Sequence, residues 1–300
     1  MRIVVTGGPG QLVLSMAERG VIAGHEVVAV GPPELDLSAP DDDAIHAALA
    51  AARPDAIVNA AAHTAVDKAE SEHDLAFAIN AAGAGAVARA AARLDVPLVH
   101  VSTDYVFSGD KAAPYMESDE TAPTGVYGAS KLAGEYAVMA SGADFAILRT
   151  AWVYSPFGAN FVKTMLRLAE TRDELGVVDD QRGCPTSALD LADAAIAVVA
   201  NLKARPDLAL RGLFHAAGSG EGSWADFAVA VFATALAHGG PGARVNRIAT
   251  ADYPTPAKRP ANSRLDCSKL AAAHAVRLPL WRHSVEQVTA RLVREGTITS

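Results

Sequence analysis

Residues 2–13 constrain the fold more than any other stretch of this chain. Arg2, Ile3, Val4, Val5 and Thr6 form a short, β-branched, nearly uncharged run that reads as a buried strand. It enters Gly7, Gly8, Pro9 and Gly10 directly, and residues 12–22 then read as a helix. A strand, a glycine turn and a helix N-terminus together make an anion site suited to a dinucleotide pyrophosphate. Gly7 and Gly10 carry the tight-turn spacing. The third glycine of a full fingerprint falls at position 13, which is Val13. That position normally lets helix and strand pack closely, so the first helix is expected to stand slightly off the sheet.

The end of the second strand points to the nucleotide. Glu26–Val30 reads as a strand and runs into Gly31, Pro32 and Pro33, with no acid at its end. An NAD-selective site usually places a carboxylate there for the ribose 2′-hydroxyl. Its absence admits NADPH, and the lack of an arginine cluster leaves NADH usable.

Strand-like runs at 2–6, 26–30, 55–59, 97–102 and 145–149 alternate with helical runs near 12–22, 41–52, 70–78, 80–94 and 127–141. The alternation predicts an α/β fold, a doubly wound parallel sheet of Rossmann type, with a smaller C-terminal substrate lobe. Residues 1–150, rejoined by about 188–213, are expected to form the nucleotide domain; 151–187 and 214–300 are expected to form the substrate lobe. Ligands of such sheets bind beyond the carboxyl ends of the strands. A net charge of −8 with no dense basic patch argues against nucleic acid as a partner. Two cysteines, Cys184 and Cys267, fit reduced thiols in a cytoplasmic protein. Residues 1–6 lack the apolar core of a secretion signal, and no apolar run approaches a membrane span, so no membrane partner is expected. No metal-ligand spacing is visible.

Tyr127 and Lys131 stand four residues apart on a predicted helix and so share one face. A cation about 4 Å from a phenol, at an effective dielectric near 20, is worth roughly 4 kcal/mol. This would bring the phenol down by about 3 pKa units before desolvation opposes it, enough for general acid–base work. The pair is expected to be catalytic, with Lys131 also reaching the cofactor ribose. Thr103, just past a strand end, can donate a hydrogen bond to a substrate carbonyl. Ala61 and Ala62 follow another strand, where small residues let the backbone approach a dinucleotide. His63, in the same turn, is expected to make a contact through its backbone, since a lone histidine is more often structural. Arg259 is a pyrophosphate candidate because a guanidinium matches phosphate geometry; a surface salt bridge is the alternative.

Taken together, these blocks resemble the dTDP-4-dehydrorhamnose reductases, a family of extended short-chain dehydrogenases/reductases. The resemblance rests on Gly7-x-x-Gly10-Gln11-Leu12, the stretch Asn59–Glu70, Ser102–Gly109, Tyr127–Glu135, Arg149–Tyr154, Asn160–Val162, Asp180–Thr186 and Arg259–Leu265. It implies reduction of the 4-keto group of a dTDP-sugar, dTDP-4-dehydro-β-L-rhamnose, with Tyr127 as proton donor. It also implies Gln11, Leu12, Asp36, Leu37 and Thr64 at the cofactor, and Asp104 and Trp152 at the sugar nucleotide. Tyr105 stands where related 4,6-dehydratases need a second carboxylate, which favours plain reduction. Some relatives dimerise through a bridging divalent ion held by helix carboxylates. No acid lies between Gln11 and Ala17, so the ion is not carried over; a homodimer stays open. Two other readings stand beside this one: a reductase of another 4-keto nucleotide sugar, of the dihydrostreptose type, and a non-catalytic NADP-binding regulatory subunit.

Overall fold

The structure, a computed structural model, describes residues 1–297; the last three residues of the expected substrate lobe fall outside it. The first half alternates strand and helix: β1 (Arg2–Thr6), α1 (Gln11–Ile22), β2 (Glu26–Val30), α2 (Asp42–Ala51), β3 (Ala56–Asn59), the short α3 (Val66–Ala69) and α4 (His73–Phe77), α5 (Ala84–Leu94), β4 (Leu98–Thr103), α6 (Val126–Met139) and β5 (Phe145–Thr150). The second half comprises β6 (Val153–Tyr154), α7 (Phe161–Ala169), β7 (Glu174–Val178), β8 (Arg182–Gly183), β9 (Thr186–Ser187), α8 (Ala188–Ala204), β10 (Gly212–His215), β11 (Gly222–Ser223), α9 (Trp224–Ala237), β12 (Arg244–Ile248), β13 (Asn262–Ser263), α10 (Ser268–His274) and α11 (Trp281–Glu295).

Six strands form the main sheet in the order β10-β5-β4-β3-β1-β2, all pairs parallel. The chain leaves β1 towards β2 on one side and returns to β3 on the other. The crevice beyond β1 and β3 is therefore the topological switch point, where α/β sheets bind ligands. Buried β-branched strands make both faces apolar, as a sheet covered on both sides requires. One face packs α1 and α8 through Met16, Leu191, Ala195 and Val199; the other packs α2 and α5 through Ile45, Leu49, Val87 and Ala91. Val13 is buried in the first of these clusters with Ile3 and Val5, so the larger side chain at the third glycine position is taken up as core.

The sheet extends further than the sequence indicates. β10 pairs with β5 as far as His215–Arg149, so the expected boundary at residue 213 falls inside a sheet strand. Leu270 and Leu278 also pack in the cluster with α8, although both lie in the stretch assigned to the substrate lobe. A separate core of aromatic and aliphatic residues, among them Tyr154, Leu166, Phe227, Val231, Trp281 and Val285, organises α7, α9 and α11.

Residues 70–94 depart from two plain helices. A wide π turn, Ala78–Gly83, joins α4 to α5. The turn lets α6 approach closely: a Cβ on Gly134 would lie 2.0 Å from the Asn80 carbonyl oxygen. The continuous run His73–Leu94 is also long and apolar enough to cross a membrane, with mean hydropathy 1.4, contrary to the expectation that no run approaches a span. Its buried residues pack in the core beneath the sheet.

Candidate active site

A cleft of about 710 Å³ opens at the switch point. It is lined from β1 and α1 by Gly7, Gly8, Gly10, Gln11, Leu12 and Val13, and from the turn after β3 by Ala61, Ala62 and Thr64. From β4, α6 and the exit of β5 come Thr103, Asp104, Tyr105, Tyr127, Lys131 and Trp152. The sheet topology thus brings together residues that are more than a hundred positions apart.

The glycine turn suits a pyrophosphate. Gly7 has φ +121°, a conformation in which an L side chain is strained. A Cβ on Gly8 would meet nothing within 4 Å, and one on Gly10 only the Gly8 carbonyl oxygen at 3.9 Å, so the cleft side of the turn is open to a ligand. Gly10 supplies no side-chain cap to α1 and no acid occupies its first turn, leaving the helix N-terminus suited to negative charge. The 155–160 loop covers this turn. Ser155 Oγ donates to Gln11 Oε1 at 3.0 Å, and Asn160 Nδ2 donates to the Ser155 carbonyl at 2.9 Å. Gly158, Ala159 and Asn160 line the cleft as well; Asn160 was legible only as part of a motif.

Tyr127 and Lys131 both line the cleft from α6, one turn apart. The electrostatics differ from the expectation that the cation draws the phenol down. Burial pushes the Tyr127 phenol up to about 12; a hydrogen bond with the Thr103 side chain opposes this, and the Asp104 charge adds to it. Lys131 is turned to the sheet, where Nζ donates to the Val101 carbonyl at 2.7 Å. Burial holds its ammonium down at about 8, with Glu135 opposing. Desolvation therefore outweighs the Thr103 hydrogen bond at Tyr127 and the Glu135 charge at Lys131. Tyr127 is kept protonated at neutral pH, which suits a proton donor. Tyr105 lies edge-on to Tyr127, with ring centroids 5.5 Å apart.

Thr103 ends β4 with its Oγ donating to Asp104 Oδ1 at 3.0 Å and accepting from the Tyr105 amide at 3.2 Å. Asp104 is 3% exposed, its Oδ2 has no partner, and burial pushes its carboxyl up to about 6 against the hydrogen bonds from Ser263 and Thr103. Trp152 adopts a left-handed φ of +49°. Its ring stacks on Trp224 at 3.7 Å between centroids. The Trp224 indole in turn donates to Gln181 Oε1. Trp224 was not singled out by sequence reasoning; its partner lies 72 positions away, and no local pattern marks it.

Four expected contacts lie outside the cleft lining. Leu37 is 5% exposed and packs in the core with α2 and α5. Asp36 is at the surface and accepts from the Ser38 amide. The backbone of His63 is fully engaged by one side chain: its amide donates to Asn80 Oδ1 at 2.8 Å and its carbonyl accepts from Asn80 Nδ2 at 3.1 Å. Its ring meets Glu72 at 2.7 Å. His63 is thus held through its backbone by Asn80 and through its ring by Glu72. Arg259 forms the salt bridge that was the alternative for it, with Asp67 at 2.7 Å. Among the described residues, no group of three or more His, Cys, Asp or Glu could hold a metal ion.

A doubly wound parallel sheet with a glycine turn and a Tyr–Lys helix pair in its switch-point cleft defines an NAD(P)-dependent oxidoreductase of the short-chain dehydrogenase/reductase type. Comparison with known proteins narrows the class. Residues 1–294 match the family described as the RmlD substrate binding domain, and the chain belongs to that family. It is 49% identical over 296 residues to a dTDP-4-dehydrorhamnose reductase of Sinorhizobium fredii, covering 99% of each chain. Identity to that of Escherichia coli K12 is 48% over 242 residues, 80% of each. A crystal structure of a dTDP-4-dehydrorhamnose reductase from Clostridium acetobutylicum superposes with TM-score 0.89 at 37% identity, covering 97% of this chain and 99% of that one. The Bacillus anthracis enzyme in complex with NADP gives TM-score 0.88 at 34% identity with the same coverage.

Proposed function

We propose that the protein reduces dTDP-4-dehydro-β-L-rhamnose to dTDP-β-L-rhamnose with NADPH, NADH serving as an alternative donor. The observation that carries this is the convergence of Thr103, Tyr127 and Lys131 on the cleft that also holds the glycine turn. Gly7, Gly10, Gln11 and Leu12 hold the pyrophosphate end of the dinucleotide, Ala61, Ala62 and Thr64 flank it, and Lys131 holds the nicotinamide ribose. When bound, the reduced nicotinamide supplies a hydride to the substrate carbonyl carbon.

The protein's own residues handle the oxygen. Thr103 Oγ, turning its proton from Asp104 Oδ1 to the substrate, polarises the carbonyl by a hydrogen bond that strengthens as negative charge develops. Tyr127 transfers its phenolic proton to that oxygen, so one C–H and one O–H bond form as the C=O π bond is consumed. A phenol near 12 holds its proton until a strongly basic oxygen appears. Lys131 stabilises the phenolate left behind by its positive charge. Trp152, backed by Trp224, offers an aromatic face to the sugar nucleotide, and Asp104 offers a carboxyl beside it. Arg259 reaches the substrate pyrophosphate by exchanging Asp67 for phosphate oxygens.

The test is incubation of the purified protein with NADPH and dTDP-4-dehydro-β-L-rhamnose, following loss of the reduced cofactor and formation of the alcohol. Turnover with this sugar supports the reading. Turnover only with a different 4-keto nucleotide sugar replaces the substrate assignment, and NADPH binding without turnover on any of them favours a regulatory role.

A further inference from the structure

We infer that Glu135, clamped by Ser102 and Arg149, is a positioning residue that holds Lys131 charged and aligned in the cleft. The inference rests on the catalytic reading of Lys131 given above. Tyr127, Lys131 and Glu135 succeed one another at intervals of four along α6, so one helix face carries all three. The first two line the cleft. Glu135 lies a turn deeper and is fully buried.

An isolated carboxylate in that position would be costly, and Glu135 is not isolated. Oε1 accepts from Ser102 Oγ at 2.5 Å and from Arg149 Nε at 2.9 Å, and Oε2 accepts from Arg149 Nη2 at 2.6 Å. The guanidinium fork is bidentate, the geometry in which such a pair is strongest. Arg149 is itself 3% exposed and lies over the Phe107 ring at 4.9 Å.

The three anchors come from three elements that each carry a cleft residue. Ser102 precedes Thr103 on β4, Arg149 precedes Thr150 on β5, and Glu135 follows Lys131 on α6. One carboxylate thus fixes the helix bearing the proton donor against the strand bearing the carbonyl-polarising hydroxyl. A buried ion pair adds little net stability over an apolar pair of the same volume, so stability alone does not account for its presence.

The groups facing Lys131 make the electrostatic role specific. From β4 it meets the Val101 carbonyl and the His100 ring, whose proton affinity is lowered well below the ordinary value by burial and by Lys131 itself. On its own helix Tyr127 stands one turn before it and Glu135 one turn after it. Asp104, after β4, acts on Tyr127, and Arg149 on β5 is neutralised by Glu135. Glu135 is the group that opposes the loss of charge imposed on Lys131 by burial.

The test follows the Lys131 amine directly, by NMR titration of lysine-labelled protein without cofactor, with Lys131→Met assigning the signal. Glu135→Gln removes the charge. Glu135→Gln with Arg149→Met removes the pair together, so that no buried guanidinium is left without its carboxylate. Glu135→Asp keeps both charges and draws the carboxylate back by one methylene. The Lys131 midpoint is expected to fall by about one pH unit in Glu135→Gln, and by less in Glu135→Asp and in the double variant, where the Arg149 charge leaves with the carboxylate. The basic limb of kcat/KM should move with it in the same order. A Lys131 midpoint unchanged in whichever of these variants fold would overturn the inference and leave the cluster a structural staple. An inactive parent protein would sink the catalytic reading instead, and the titration separates the two outcomes.

Discussion

Arg259 and Asp67 are joined by an ion pair across 192 positions of chain, Nη2 to Oδ2 at 2.7 Å. Asp67 also accepts from the Ala257 amide through Oδ1, at 3.1 Å. One carboxylate at the start of α3 therefore fastens the 255–260 loop beside the cleft. Both side chains are partly exposed, at 22% and 41%, so the pair contributes about 1 kcal/mol or less to stability. Arg259→Ala should leave Tm nearly unchanged and raise KM for the nucleotide sugar by about tenfold, the scale of one lost charge-assisted hydrogen bond. Asp67→Asn keeps an acceptor for Ala257 and releases the guanidinium, so KM should stay level or fall. An unchanged KM in Arg259→Ala would reduce Arg259 to a loop staple.

The proton donor is tested by Tyr127→Phe. The ring and its edge contact with Tyr105 survive this change, and only the hydroxyl is lost. Turnover should fall by a factor of roughly 10² to 10⁴, the usual worth of a positioned acid, while the Kd for NADPH, measured by fluorescence titration, stays level. Wild-type turnover in this variant would remove Tyr127 from the proton-donor role.

Lys131 gives the cofactor-free protein a pH-dependent stability of definite sign. Its folded-state pKa is held down at about 8 from 10.5 by burial. Between these values the unfolded chain binds more protons than the folded one, so the contribution of this group to stability rises with pH. Below pH 8 its full cost applies, on the order of 3 kcal/mol. Lys131→Met should therefore raise Tm at neutral pH, less the roughly 1 kcal/mol of the lost bond to Val101, and abolish most activity. The advantage should shrink from pH 8 towards 10.5. Calorimetry across that range checks it, and a destabilised Lys131→Met protein at pH 7 contradicts it.

The parts of this molecule that were legible in the sequence are those written in short-range patterns. Strands β1 to β5, the glycine turn after β1 and the four-residue spacing of Tyr127 and Lys131 each depend on neighbours within a few positions. Periodicity and turn chemistry report on that scale. β10 is four residues long with one glycine, and only pairing with β5 makes it a strand. The Glu135–Arg149 pair spans 14 positions and two elements. The charge effect expected of Lys131 on Tyr127 failed for a related reason. Spacing locates two groups on one face, but burial sets which physical term governs their protonation.

The last prediction concerns the wall behind Trp152. A Cβ on Gly183 would lie 2.4 Å from Trp152 Cε2, 2.7 Å from Cζ2 and 2.8 Å from Cδ2. No rotation of a planar indole clears three such contacts while it stays stacked on Trp224. Trp152 is also held at a left-handed φ, a conformation that costs a non-glycine residue about 1 kcal/mol or more and persists only where packing enforces it. Gly183→Ala should therefore push the ring into the cleft or off its stack, at a stability cost of about 1–3 kcal/mol. The glycine turn is built on β1 and α1 and does not share this wall. KM for the nucleotide sugar should rise about tenfold, a loss on the scale of one aromatic stacking contact, with the Kd for NADPH unchanged. Equal losses for sugar and cofactor would mean that Gly183 supports the whole fold, and an unchanged KM would mean that the substrate does not use the Trp152 face.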